Sequence, residues 1–370
     1  MNNFQFSVVF AHRRKALNVT QEDIARYVGV SRAAVSKWEK GQSYPDISIL
    51  PKLAAYFNVS IDDLLGYEPQ MTEQRILTTY AALAEKFSKC PYDEVDQEIK
   101  MLIDEYYSCF PLLLKLAQLY VNYFNVATDK ERAVEKIQAL CTRVKEFSGD
   151  YKLINEATMI EGLSYILQGA PQKVLTLLGE DAKVQLGAEQ LIATAQTMLG
   201  NVEKAKEIYQ VNQYQYLLGL IGNASELLML EIDNPAYFEQ IVTRAEAVIE
   251  TFSIEKLNVN TALVFYLRAA SGFAVQQRTD EALRYLERYV KTCLHMEYPL
   301  RLKGDDYFYL LEDWMKREIM LSSQTPRDED SIKKSIYDSV ATNPMFESLK
   351  DHATYKNLVT NLHHHLRIGG

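Results

Sequence analysis

Residues 20–41 constrain the fold more than any other stretch, because helix starts and helix stops alternate there within a short distance. The stretch reads TQEDIARYVGVSRAAVSKWEKG. Thr20 and Ser31 are good helix N-caps, since their hydroxyls can accept a hydrogen bond from a backbone N–H of the first turn. Gly29 and Gly41 tolerate the positive φ with which many helices end. The pattern predicts two short helices joined by a tight turn, over residues 21–28 and 32–40.

Three more helices are predicted around this pair. Apolar residues at helical spacing indicate a first helix over residues 4–17, with Phe6, Val9, Phe10 and Leu17. Asp46 is expected to cap a fourth helix, which carries Ile47, Leu50, Leu53, Ala54 and Phe57. Ser60 is expected to cap a fifth, IDDLLG. Residues 1–66, called the head below, are therefore predicted to form a five-helix domain.

The third predicted helix has two different faces. Val35 and Trp38 lie three residues apart and are expected in the core together with Val30. The other face carries short or cationic side chains and no acid: Arg32, Ala33, Ser36 and Lys37. A helix that enters the major groove of DNA needs such a face, narrow enough to fit and able to donate hydrogen bonds. Backbone N–H groups at the amino ends of helices two and three can also point at phosphates.

The stretch TQEDIARYVGVSRAAVSKWEKGQSYPD, followed by NVSIDDLLG, resembles the phage-repressor/Cro-type helix-turn-helix family, the xenobiotic-response-element class. The resemblance covers about residues 5–66. It implies sequence-specific DNA binding, with the base-reading positions at Arg32, Ala33, Ser36 and Lys37. A domain of this type can instead serve as a scaffold that binds protein, and that alternative stays open here.

The same resemblance implies contacts to the DNA backbone. Gln21 is expected at a phosphate, with Ser31, Lys40 and Tyr44 also beside the backbone. His12 departs from the family pattern, because the first helix usually carries a Lys or Arg nearby; Arg13 and Arg14 are expected to supply that charge. One such helix specifies few base pairs, so a homodimer on a palindromic operator is expected, with two half-sites one helical turn apart.

Charge divides the chain in the same place. Residues 1–66 carry eight Lys or Arg against six Asp or Glu, a balance of +2, whereas residues 67–370 carry 32 against 43, a balance of −11. A slightly basic head on an acidic body suggests that the head alone faces an anion. DNA binding by such a head is expected to be modest and sensitive to salt.

Residues 67–370, the body, read as helical almost throughout. Four segments share a polar turn followed by a helix with a small or branched residue early on; these aligned positions are Ala133, Val174, Ala205 and Ala282. Their irregular spacing is close to that of helical-hairpin repeats, and TDEALRYLERYV and NVEKAKEIY resemble the second helix of tetratricopeptide repeats. The prediction is an all-α chain: a lambda-repressor-like head at 1–66, a linker at 67–75, and a degenerate tetratricopeptide-type α-solenoid at 76–370.

Two stripes at helical spacing are candidate ligand contacts on the inner face of the solenoid. The first comprises Asn212, Tyr216, Gly219 and Asn223, and the second Asn258, Thr261, Phe265 and Arg268. An Asn amide can pair with a peptide backbone as donor and acceptor at once, and an Arg guanidinium can hold a terminal carboxylate. The alternative is that both stripes are ordinary contacts between helices.

A repressor-like head followed by degenerate tetratricopeptide repeats resembles the peptide-pheromone-sensing regulators of Gram-positive bacteria. That resemblance implies a body that dimerises and binds a short secreted peptide, and whose state sets the DNA affinity of the heads. Two alternatives remain open. The ligand can be a small molecule, or the chain can be an adaptor whose repeats bind a protein partner.

Signatures of enzymes are not found. The sequence contains no GxxxxGK[ST], HExxH or GxSxG motif, and the spacing of His295 and Glu297 is not followed by PCxxC. No catalytic residue, cofactor or metal site is predicted, and the run from His363 to His365 is interpreted as a surface cluster. Four scattered cysteines, the lack of a signal peptide and the lack of an apolar membrane span favour a cytoplasmic protein.

Overall fold

The structure, a computed structural model, describes residues 5–67, 70–182, 184, 187–298, 302–318 and 327–366. Phe4, the expected start of the first helix, and positions 68 and 69 of the expected linker lie outside these residues. The described part of the chain is helical and contains no strand. It includes no helix that is both long enough and apolar enough to cross a membrane.

The head consists of five short helices. Their bounds are α1 Phe6–Ala16, α2 Gln21–Val28, α3 Arg32–Glu39, α4 Leu50–Phe57 and α5 Ile61–Leu65. Thr20 and Ser60 each form a complete capping box with the Asp three residues later, and the hydroxyl of Ser31 accepts the N–H of Ala34. These caps satisfy N–H groups that have no partner within the helix. The cap residues predicted for α2, α3 and α5 are therefore confirmed.

The fourth helix begins later than the sequence pattern predicts. Asp46 does not cap it: the Asp46 carboxylate accepts hydrogen bonds from the backbone N–H and the hydroxyl of Ser48, which close a turn. The helix starts at Leu50, with Pro51 in its first turn, where proline needs no N–H partner. Ile47, expected on the apolar face of this helix, lies in the turn with 81% of its surface exposed.

Aromatic side chains fill the core of the head. The Phe6 and Phe10 rings stack with centroids 5.1 Å apart, and the edge of the Phe10 ring also meets Trp38 and Phe57. Such edge-to-face pairs are favoured by the ring quadrupole. Leu17, predicted on the apolar face of α1, follows the last residue of that helix and is half exposed. The core thus fixes α1, α3 and α4 to one another.

The body contains α-helices, most of them between two and five turns long, and short 3-10 helices. Their bounds are α6 Glu73–Lys89, α7 Tyr92–Glu105, α8 Phe110–Asn122, α9 Lys130–Phe147, α10 Tyr151–Leu167, α11 Pro171–Leu178, α12 Ala188–Met198, α13 Val202–Leu230, α14 Pro235–Thr251, α15 Ile254–Leu257, α16 Val259–Val275, α17 Thr279–Leu294, α18 Leu311–Glu318, α19 Glu329–Ala341 and α20 Ala353–Leu366. Short 3-10 helices lie at Phe124–Val126 and Pro344–Leu349. The expected linker includes the first turn of α6.

By its internal contacts the chain forms two compact units, residues 1–76 with 91–177 and residues 77–90 with 178–370. In the first, α9 packs against both α8 and α10. Gln70 donates to the carbonyl of Ser108 there, and the Met71 N–H contacts Cys109. In the second unit, α16 packs against α13 and α17, and α20 packs against α17. The head is followed by a helical repeat-like region, as predicted.

Small residues near the helix starts behave as the repeat pattern predicts at three of four positions. Ala133, Ala205 and Ala282 are buried, whereas Val174 is only partly buried and α11 has no buried residue. A small side chain lets two helices cross closely. The body departs from regular hairpins at α13, which has 29 residues, about twice the length of a repeat helix.

The described cysteines are all unpaired. Cys141 of α9 and Cys293 of α17 are buried, and burial raises the pKa of each thiol to about 12. Such thiols are poor nucleophiles at neutral pH. Both therefore act as small apolar side chains in their cores.

Candidate nucleic-acid interface

The turn between α2 and α3 depends on one glycine. Gly29 has φ +80° and ψ +37°, and its N–H and that of Val30 both donate to the carbonyl of Ala25. This is the left-handed end that a glycine adopts without a steric penalty. Val30 then packs partly against the core, and Ser31 starts α3. The turn directs α3 away from α2 over a very short stretch of chain.

The inner face of α3 is held by two apolar side chains. Val35 is fully buried and Trp38 nearly so. The edge of the Phe10 ring meets the Trp38 ring, with centroids 6.1 Å apart and an interplanar angle of 85°. Because the buried face is fixed in this way, the rotation of α3 about its axis is fixed too. Its opposite face must then point outward.

The one acid of α3 is turned inward. The Glu39 carboxylate accepts hydrogen bonds from the guanidinium of Arg14 and, at 2.7 Å, from the amide of Gln21. Arg14 also donates to the carbonyl of Val19 at 2.8 Å. This arrangement, called the Glu39 cluster below, joins α1, α2 and α3. It also neutralises the only negative charge on the third helix.

The Glu39 cluster shifts the titration of its carboxyl. Burial raises the pKa of Glu39, but the hydrogen bonds from Arg14 and Gln21 and the charges of Arg14 and Lys15 outweigh it, so the pKa lies below the ordinary 4.5. The carboxylate is only 11% exposed. Glu39 is thus ionised at neutral pH and remains paired with Arg14.

The base-reading positions form the outer face of α3. Arg32, Ala33 and Lys37 are exposed and Ser36 is half-buried. Together they present two cations, a methyl group and a hydroxyl with no acid beside them. Such a face suits a major groove, where Arg and Lys donate to guanine and a methyl group packs on thymine. Their assignment as base contacts remains a prediction.

The expected backbone contacts fall into two groups. Arg13, Ser31, Lys40 and Tyr44 are exposed, and their contacts to phosphates remain predictions. Arg14 and Gln21 already bind Glu39, so their polar groups serve the interior of the head first. This interior role of Arg14 differs from the predicted contact to the DNA backbone. The signal available was an acid that follows Trp38 directly on a helix otherwise free of acids.

The body stripes divide into structural and accessible residues. Asn258 caps α16, accepting the N–H and hydroxyl of Thr261, and its amide donates to Tyr214 at 3.4 Å. Phe265 is fully buried in the core rather than on an accessible face. Arg268 pairs with Glu226 at 3.5 Å. The second stripe therefore works mainly inside the protein.

The first stripe borders an open groove of about 480 Å³ between α13 and α14. Asn223 and Leu227 line it from α13, and Tyr237, Gln240 and Arg244 from α14. Tyr216, one turn before Leu220 of the groove, is exposed, whereas Asn212 is buried and its amide nitrogen has no hydrogen-bond partner among the described residues. The α14 wall was not predicted, because nothing in its sequence separates it from a solvated helix face.

Gly219 and Gly222 lie on the same helix, between Tyr216 and Leu227. A Cβ built on either glycine would meet no atom within 4 Å. Each costs about 0.5–1 kcal/mol of helix stability relative to Ala, and no described neighbour packs on either position. Both leave the backbone of α13 uncovered at their own positions, outside the residues that line the groove.

A helix-turn-helix family model matches residues 11–64. The HTH-type transcriptional activator BcrR of Enterococcus faecalis is 40% identical over 68 residues, 18% of this chain and 33% of BcrR. The cryptic phage CTXphi transcriptional repressor RstR of Vibrio cholerae is 39% identical over 56 residues, 15% of this chain and 50% of RstR. The uncharacterized HTH-type transcriptional regulator MJ0272 of Methanocaldococcus jannaschii is 43% identical over 51 residues, 14% of this chain and 77% of MJ0272.

The chain thus spans a third of BcrR and half of RstR. Among solved structures, the apo form of the competence regulator ComR from Streptococcus vestibularis is similar over 86% of this chain and 98% of that chain, with 14% identity and a TM-score of 0.26. At that TM-score the likeness supports no conclusion about the body.

Proposed function

The chain belongs to the helix-turn-helix transcriptional regulators, and on that premise we propose that α3 reads a palindromic operator as part of a homodimer, under the control of a ligand bound by the body. It is a DNA-binding transcriptional regulator. The ligand that the groove fits best is a short peptide. One observation carries the DNA-reading part: α3 presents Arg32, Ala33, Ser36 and Lys37 outward while its only acid is bound by Arg14.

Charge placement supports this assignment. The exposed cations Arg32 and Lys37 on the outer face of α3 can attract an anion. Glu39 does not weaken this attraction, because its charge is neutralised within the head. Each correct bidentate contact to a base is worth about 1–3 kcal/mol of discrimination. Two copies on two half-sites would double the number of contacts and give the operator its palindromic form.

The DNA-reading proposal is tested by selecting bound sites from a random DNA pool and footprinting the winner. Arg32→Ala and Lys37→Ala should each relax the sequence preference at one or two positions of each half-site, losing about 1–3 kcal/mol per base contact. Lys52→Ala removes an equal charge from an exposed site on α4 and should leave the preference unchanged. A footprint without a palindrome, or a double variant that binds like the wild type, contradicts the proposal.

The groove between α13 and α14 supports a peptide as the ligand. It offers apolar surface from Leu227 and Tyr237 and polar groups from Asn223, Gln240 and Arg244. An Asn or Gln amide can donate to and accept from a peptide backbone at once, and the apolar side chains offer contacts for the apolar residues of a peptide. The peptide would shift DNA affinity if it binds two arrangements of the body unequally.

The ligand proposal is tested by a thermal-shift screen of short apolar peptides. A peptide that binds should raise the Tm of the wild type, and Asn223→Ala and Gln240→Ala should reduce that increase. Asn155→Ala, at an exposed site on α10, is the matched control. A shift equal in all variants would remove the groove assignment, and stabilisation by a small molecule or a co-purified protein instead would favour the other ligand classes.

A further inference from the structure

Helix α12 turns its apolar side to solvent, unlike an ordinary surface helix. Its outward side carries a continuous apolar surface, called the α12 face below, made of Leu191, Ile192, Ala195, Met198 and Leu199. Leu191 is 71% exposed and Met198 83%. The buried residue of this helix is Ala193, on the opposite side, where α12 packs against α13. A surface helix normally turns its apolar stripe to the core.

The α12 face is also almost without charge. Residues 187–202 contain a single charged residue, Glu189, which lies one turn before Ile192 at the edge of the face. The rest of the border is polar and neutral: the hydroxyl of Thr194 donates to the carbonyl of Gln190, and Gln196 accepts from Asn201. An apolar centre with a polar border is the composition of a protein interface.

We propose that the α12 face binds the α12 face of a second copy of this chain, and the inference rests on the homodimer of the proposed function. In a two-fold contact the same patch forms both sides, so that residue i meets residue j of the partner and j meets i; an acidic patch would therefore repel itself. The body carries a balance of −11. Two bodies can therefore come together best where the surface has no acids, and the α12 face meets that condition.

The size of the face fits the centre of such an interface. A stable contact buries about 800 Å² on each partner, contributed by about 20–30 residues. The α12 face supplies a cluster of large apolar side chains, and Val202, half-exposed at the start of α13, continues it. An apolar centre depleted of charge is typical of homodimer interfaces.

The test measures the mass of the full-length chain in solution by light scattering and sedimentation across a concentration series. The wild type should be a dimer, and Leu191→Glu and Met198→Glu should each weaken dimerisation at least tenfold. Leu230→Glu makes the same change at a Leu that is 79% exposed on α13, away from the α12 face, and should leave the dimer intact. Circular dichroism should show unchanged helix content in all three.

Mixing charge variants tests the two-fold pairing. Met198→Glu and Met198→Lys should each be mainly monomeric alone and should form a dimer when mixed, because the two halves of the self-complementary patch then carry opposite instead of like charges. A wild type that is monomeric at all concentrations, variants that remain dimers, or a mixture that stays monomeric would overturn the inference.

DNA binding distinguishes this inference from the proposed function. A monomeric Leu191→Glu variant should still read a single half-site through Arg32, with lower affinity for the full palindrome. If the variants stay dimeric while Arg32-dependent binding is seen, the α12 assignment fails and the regulator stands. If the face controls dimerisation but the wild type selects no DNA sequence, the inference stands and the proposed function fails.

Discussion

At the scale of single residues, Glu39 links the stability of the head to the outer face of α3. Its carboxylate joins Arg14 and Gln21 across three helices and is largely shielded from water. A buried carboxylate is tolerated only when it is paired and hydrogen-bonded. The same contacts remove a negative charge from α3. One side chain therefore serves the fold and the electrostatics of the surface beside it.

Replacing Glu39 tests that role. Glu39→Gln should destabilise the head by about 1–3 kcal/mol, because Arg14 loses its charged partner. Denaturant unfolding followed by Trp38 fluorescence, in a Trp314→Phe background, reports on the head. Glu22→Gln, at an exposed site on α2, is the control and should change stability little. Equal stability of Glu39→Gln and the wild type would remove the Glu39 cluster as a structural element.

The pH dependence follows from the lowered pKa of Glu39. A carboxyl whose pKa is lower in the folded than in the unfolded state contributes stability that is complete above the unfolded value, near 4.5. That contribution is lost as the pH falls through the folded pKa. The stability difference between the wild type and Glu39→Gln should therefore be constant near neutral pH and shrink in acid. A difference that grows below pH 4.5 would contradict the assigned sign.

At the scale of elements, the role of a glycine can be predicted from sequence at a helix end but not inside a helix. Gly29 sits between two periodic segments, and its role as a helix end follows from the sequence alone. Gly219 lies within a helical run, and sequence cannot tell whether a neighbour packs on it. The structure gives Gly29 a left-handed backbone and leaves open space beside Gly219.

The same substitution should therefore have opposite effects at these two positions. Gly29→Ala should destabilise the head by about 1–2 kcal/mol, since φ +80° is unfavourable for a residue with a Cβ even where space is open. Gly219→Ala should stabilise the body by about 0.5–1 kcal/mol and weaken any ligand that lies on α13. Thermal unfolding of both variants checks the signs, and a loss of stability in Gly219→Ala would mean that an unseen contact needs the glycine.

Much of the head could be predicted because its signals are local. Caps, glycines and short apolar repeats lie within a few residues of one another, so α2 and α5 begin where their cap residues predict. The start of α4 was missed, since Asp46 can close a turn with Ser48 as readily as cap a helix. In the body, Phe265 and Asn258 lie on helical stripes whose burial depends on distant helices. Periodicity identifies such a face but cannot say what covers it.

At the scale of the whole molecule, charge is separated along the chain. The head carries a balance of +2 and the body −11. Each phosphate neutralised by a Lys or Arg releases counterions, so affinity falls with salt in proportion to the number of such contacts. The small positive balance of the head predicts few phosphate contacts, and the slope of log affinity against log salt should count them.

The salt dependence can be measured residue by residue. Arg13→Ala and Lys40→Ala should each reduce the slope of log affinity against log salt by about 1 per removed contact while leaving sequence preference unchanged. Lys100→Ala, at an exposed site on α7 of the body, should leave the slope as it is. Fluorescence anisotropy with the selected operator, at several salt concentrations, gives these slopes. A slope unchanged in Lys40→Ala would remove that residue from the backbone contacts.

The buried cysteines have a practical consequence. Cys141 lies in the first compact unit and Cys293 in the second, and neither thiol reacts readily while it is covered. A thiol reagent therefore modifies each one only when its surroundings open, at a rate set by the free energy of that opening. Mass spectrometry of the wild type during labelling thus measures separately how fast each unit opens around its cysteine. Bound DNA should slow the labelling of a unit only if that unit is stabilised by binding.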